Sequence, residues 1–183
     1  MTFIVQQGYA SFSEVIEQDY HLIHRTFTYE NVNEREFEEQ FNDNPLTNSV
    51  TLDECEIHSE ILQSLHRVFP ELLQLTLSDV NLQDNHLTPL HPNNDPNKQN
   101  FSGLKSLDIS CNPSLSSEGI ACLAGRSFVS LDLSYNTGLD DQVFDSLLST
   151  LHSIETLNLK GTSLTLQRIE AFKNTNPHIT VLS

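Results

Sequence analysis

The stretch LKSLDISCNPSL (residues 104–115), followed with the same spacing by FVSLDLSYNTGL (residues 128–139), decides how this chain folds. In both, an apolar residue is followed by apolar residues three and five positions on, by Asn at the ninth position and by Leu at the twelfth. Residues two apart on a strand point the same way, so Leu107 and Ile109, like Leu131 and Leu133, turn inward while Asp108, Ser110, Asp132 and Ser134 face out. The ninth residue ends the strand in a turn whose backbone groups need partners, and the side-chain amides of Asn112 and Asn136 are suited to supply them.

The same unit recurs on either side. LLQLTLSDVNL begins at Leu72, IETLNLKGTSL at Ile154, and TNSVTLDECEI at Thr47 sets Val50, Leu52, Cys55 and Ile57 at the corresponding places. The ninth position is Cys55, Val80 or Thr162 in these copies. Strand centres Leu52, Leu77, Ile109, Leu133 and Leu159 are 25, 32, 24 and 26 residues apart. The expanded unit holds HPNNDPNKQN (residues 91–100), a Pro/Asn stretch that reads as a surface loop. Helical spacing follows each strand, in Ile61, Leu62, Leu65, Val68 and Phe69, then Ile120, Cys122 and Leu123, then Val143, Phe144, Leu147, Leu148 and Leu151, then Ile169 and Phe172. Ile179 and Val181 begin a terminal strand within residues 176–183.

This pattern resembles the signature of leucine-rich repeat proteins, and the periods of 24 to 26 with a helix in each unit are most similar to the ribonuclease-inhibitor-like subclass. The resemblance covers residues 46–183 and, in degenerate form, 1–45. It implies an α/β solenoid, a right-handed horseshoe with a parallel concave sheet of about eight strands and short helices on the convex side. One domain spans 1–183, with capping repeats in 1–45, regular repeats in 46–175 and the loop insertion at 91–100. In this reading Phe3 and Val5 open the first unit with FSEVIEQ as its helix. Phe27 and Tyr29 open the second, with Phe37 and Phe41 one helical turn apart in its helix. The alternative for the N-terminus is a helical cap over residues 9–42.

Composition limits the function. With 25 acidic and 9 basic residues the formal charge is -16, which repels phosphate backbones and anionic lipid. The bases, Arg126 among them, are scattered singly, so neither nucleic acid nor membrane is the expected partner. A protein with a basic surface is. Three cysteines without a CxxC pair suit a reducing compartment and no zinc site. His21 and His24, spaced for one helix face, are too few for a metal, and no cofactor is expected. The opening MTFIVQQGYAS lacks the features of a signal peptide, so a soluble, cytoplasmic, monomeric protein is expected. The compact form also resembles effectors that bacteria secrete into host cells without a cleaved signal peptide.

The repeat family implies a concave sheet that grips a protein partner. The register nominates Asp53, Asp79, Asp108, Asp132, Tyr135, Glu155 and Asn158 as the partner-binding residues, with Tyr135 as aromatic anchor and Asp108 beside Asp132. Paired aspartates also suit acid–base catalysis, but these two recur at one repeat position without a pocket to tune them, so no catalytic residue is nominated. The alternative is a regulator of an enzyme, such as a GTPase activator or an enzyme inhibitor.

Overall fold

The structure, a computed structural model, describes residues 2–7, 10–15, 18–19, 22–28, 47–55, 57, 60–91, 100–147 and 153–183. Strands β1 (Thr2–Gln7), β2 (Ala10–Val15), β3 (Gln18–Asp19) and β4 (Leu22–Thr28) come first. Strand β5 (Ser49–Asp53) is followed by helix α1 (Ile61–Val68), and β6 (Gln74–Ser78) by a 3-10 helix (Asp84–Leu90). Three further pairs are β7 (Ser106–Asp108) with α2 (Ser117–Ala121), β8 (Ser130–Asp132) with α3 (Gln142–Leu147), and β9 (Thr156–Asn158) with α4 (Leu166–Thr175). Strand β10 (Thr180–Leu182) closes the chain.

Strands β4 to β10 lie side by side in chain order, each parallel to the next. Parallel neighbours need a crossover of a dozen or more residues, and the period of about 25 supplies it, with one helix in each unit from β5 to β9. The register is the one the leucines dictate. Val50, Leu75, Leu107, Leu131, Leu157 and Val181 stand in one row across the sheet. Leu52, Leu77, Ile109, Leu133 and Leu159 are buried beneath the same face. Each helix adds its apolar side, as with Ile61 and Leu65 on α1 and Ile169 and Phe172 on α4, to make one continuous core. The architecture is therefore a parallel α/β solenoid. No helix among the described residues is long and apolar enough to cross a membrane.

The N-terminus departs from expectation. FSEVIEQ is not the helix of a first repeat, because Phe12 and Val15 lie on β2, which pairs antiparallel with β1 and sets Val5 opposite Phe12. The separation explains this, since two strands joined by two residues can only form a hairpin. The eighth strand of the main sheet is the two-residue β3, antiparallel to β4, so among the described residues seven strands run parallel and not eight. The described residues between 10 and 28 of the alternative helical cap form strands, and His24 stands on β4 rather than on a helix face. The helix expected around Phe37 and Phe41 lies outside the described residues, as does most of the 91–100 loop.

Candidate functional site

The open face of the sheet is built from the residues that alternate with the buried leucines. One row runs Thr51, Thr76, Asp108, Asp132, Asn158 and Leu182. Its carboxylates have local work to do. Asp108 Oδ1 accepts the N–H of Ser110 at 2.9 Å, Asp132 Oδ1 accepts the N–H of Ser134 at 2.8 Å, and Asn158 Oδ1 accepts the N–H of Lys160 at 3.2 Å. The same Asx turn thus closes three successive strands. Across the row, Asn158 Nδ2 donates to Asp132 Oδ2 at 2.8 Å. Burial raises the pKa of Asp108, as do the like charges of Asp132 and Asp53, while hydrogen bonds from Ser110 oppose them. Asp53 lies one row along, opposite Ser78.

The trailing rim of the face has its own repeat. Glu54, Asp79, Cys111, Tyr135 and Gly161 all have left-handed backbones, with φ of 51, 51, 58, 58 and 72°. The first four each donate a backbone N–H to the next unit, to the carbonyls of Ser78, Ser110, Ser134 and Lys160, at 3.1, 3.2, 2.9 and 2.7 Å. A left-handed residue that is not Gly costs about 1–2 kcal/mol, so these turns hold their shape against an intrinsic penalty. Tyr135 is the large side chain on this rim, 49% exposed. A Cβ on Gly161 would collide with its ring at 2.6 Å, so the Cδ1–Cε1 side of the ring packs against the bare glycine of the next unit. The anchor is fixed at both its backbone and its ring.

Glu155 does not share the face. It precedes β9 in the row of Leu73, Lys105 and Val129, joined by N–H to carbonyl bonds of 2.7 to 2.8 Å along the leading rim. The nominated residues therefore separate into three groups. Asp53, Asp108, Asp132 and Asn158 occupy the open face, Asp79 and Tyr135 the trailing rim, and Glu155 the leading rim. Glu155 falls off the face expected for it because its parity is that of the buried Leu157, not of Asn158.

Beneath the rim the Asn stack is as expected. Asn112 is fully buried, and its side chain accepts from the N–H groups of Val80 and Leu82 (3.2 and 2.8 Å) and donates to the carbonyls of Leu77, Ile109 and Ser110. Asn136 accepts the N–H of Asn112 at 2.7 Å and donates to Ile109 and Leu133. Thr162 substitutes in part, its hydroxyl donating to Leu159 just as Asn136 donates to Leu133. Asx and Ser/Thr pairs also tie one unit's helix start to the previous unit, a feature the sequence reading missed. Asp84 accepts both the N–H and the hydroxyl of Ser116, the N-cap of α2, at 2.9 and 2.6 Å. Asp141 does the same for Thr165, the N-cap of α4, at 2.8 and 2.8 Å. The Ser and Thr before each helix were legible signals, whereas their carboxylates lie a whole repeat away in sequence.

Among the described residues no group of three or more His, Cys, Asp or Glu side chains is placed to hold a metal ion. Burial pushes the Cys122 thiol up to about 12, so it is not a nucleophile at neutral pH.

No protein-family model matches the chain, and no curated protein matches it either. Among solved structures, the crystal structure of a TLR13–ssRNA13 complex is similar at 19% identity and a TM-score of 0.43, over 92% of this chain and 27% of that one. The chain thus spans about a quarter of that protein's length. A likeness at this level says nothing about function.

Proposed function

We propose that the chain is a protein-binding module without catalytic activity, engaging a partner with a basic surface through the open face of its sheet and the adjoining rim. One observation carries this reading. Tyr135 is half-exposed while its backbone and ring are both held in place, so docking onto it costs little conformational entropy, as in rigid aromatic anchors of interfaces. The acids of the open face, Asp53, Asp108 and Asp132, complement basic rather than acidic partners. The reading places the chain among leucine-rich repeat proteins with ribonuclease-inhibitor-like units, acting as a monomer. A bacterial effector working in a host cytoplasm is the setting that its compact form suits.

The absence of catalysis is also a proposal, supported by the work the aspartates already do. Asp108 and Asp132 each hold a turn amide, and Asp132 also holds Asn158, which leaves neither poised as a free acid or base. Affinity capture with wild type and with the Tyr135→Ala/Asp108→Lys pair tests the binding face. Loss of a salt-sensitive partner from the variant is expected, and an identical partner set from both would remove the open face as the site.

A further inference from the structure

Two histidines, one on α1 and one in the expanded unit that follows it, perform the same task. His66, on α1, accepts the N–H of Phe101 at Nδ1 over 3.3 Å. His86, in the 3-10 helix, accepts the N–H of Gln83 at Nδ1 over 3.1 Å. A backbone amide can only donate, so both Nδ1 atoms are bare and both rings are neutral with their proton on Nε2. His86 and Gln83 form a reciprocal cap at the start of the 3-10 helix, His86 standing where a capping box ordinarily has Glu or Gln. At the other end of this segment lies Arg126, 4% exposed. Its Nε donates to the carbonyl of Leu90 at 2.5 Å and its Nη1 to that of Phe101 at 3.1 Å, while Nη2 has no partner among the described residues. One guanidinium thus ties the two residues that flank the 91–100 stretch, and it already sits in a place short of acceptors.

Among the described residues, few titratable and charged groups surround the pair. Arg126 stands beside His66, and Cys122 faces Arg126 with its thiol donating to the carbonyl of Leu87. Asp84 faces Cys122 but is committed to Ser116, and His91 is exposed at the end of the 3-10 helix. None of them offers an imidazolium a free counter-charge.

We propose that the expanded unit is a proton-operated junction: protonation of His66 and His86 expels the amides of Phe101 and Gln83, adds the His66 cation beside buried Arg126, and opens residues 83–90 and 101 while the units from residue 106 onward stay closed. Burial lowers the pKa of both rings, and Arg126 lowers that of His66 further. The closed junction binds fewer protons than the open one. Its stability is therefore complete above the ordinary histidine range and is lost as pH falls through the depressed values.

Amide hydrogen exchange, corrected for the intrinsic rate at each pH, tests this on the whole chain. From about pH 7.5 to about pH 5, protection at residues 83–90 and 101 should fall at least about tenfold relative to the Leu131 and Leu133 amides. In the His66→Gln/His86→Gln variant the amide oxygens still accept but do not titrate, and the fall should vanish. A flat wild-type ratio, or an equal fall in the variant, overturns the proposal. Imidazole titration of the wild type by NMR needs no variant. Either ring titrating at or above the ordinary 6.5 overturns it as well.

Discussion

Two buried polar devices hold the backbone of this protein, and they are unequal. In the Asn112–Asn136 stack the turns lie directly on one another, 24 residues apart at Asn112 and Asn136 and 32 at Val80 and Asn112, so a short amide reaches donors and acceptors in its own turn and in the neighbouring unit. The junction of the expanded unit spans a wider gap between Leu90 and Phe101, where a longer side chain, Arg126, makes two bonds and leaves a third donor idle. Where turns stack directly, neutral groups satisfy them in full, even with 32 residues between Val80 and Asn112. An insertion is bridged at the cost of burying a charge, which is a weaker and more conditional way to hold a chain together.

The sharpest way to break this contrast is Asn112→Ala. It strands the N–H groups of Val80 and Leu82 and removes donors from three buried carbonyls, and a loss of about 4 kcal/mol in chemical denaturation is expected. A loss under about 1 kcal/mol would mean that the stack is ornamental. Next comes Gly119→Ala, in the unit that follows the insertion. The new Cβ would strike the Asp84 carboxylate that holds Ser116, at an expected cost of about 2 kcal/mol. Combining it with Asp84→Ala should recover most of that clash, so a double-mutant cycle with no coupling would refute the contact. Arg126→Met should cost only about 1 kcal/mol, because the orphaned carbonyls are offset by removing a buried, partly unpartnered cation. A loss as large as that from Asn112→Ala would erase the distinction between the two devices.

The smallest effect concerns the open face. Ionised Asp108 is disfavoured in the folded state, so its cost is absent below the unfolded carboxylate range and complete above the raised folded value. Asp108→Asn keeps the oxygen that accepts from Ser110. It should raise stability by under about 1 kcal/mol at neutral pH, and the gain should disappear in acid, where the wild-type carboxyl is protonated in both states.

What was legible in the sequence follows the same division. The strand register could be read because Leu107, Ile109 and Asn112 recur in units that stack on near-identical neighbours, so one local rule fixes every contact. Phe12, Val15 and Ile16 suit either a helix face or a strand, and only the two-residue link to β1 resolves the choice. Arg126 gave no signal at all. It looked like one more scattered base, because burying it depends on the carbonyls of Leu90 and Phe101, residues 36 and 25 positions away. On the site, the row Asp108, Asp132 and Asn158 was placed correctly, but its task of holding turn amides was not foreseen. Asx turns are local, yet they leave no more trace than a polar residue two places before another.

The left-handed rim has one consequence for variation. Glu, Asp, Cys, Tyr and Gly occupy successive places on it in nearly the same conformation, one strand spacing of about 4.8 Å apart. Backbone bonds, not side chains, hold the first four places, so the frame there is indifferent to what each one displays, while Gly161 has to stay bare beside the Tyr135 ring. The rim is a keyboard whose keys are exchanged singly, and a new surface chemistry can be written on it without redrawing the coil beneath.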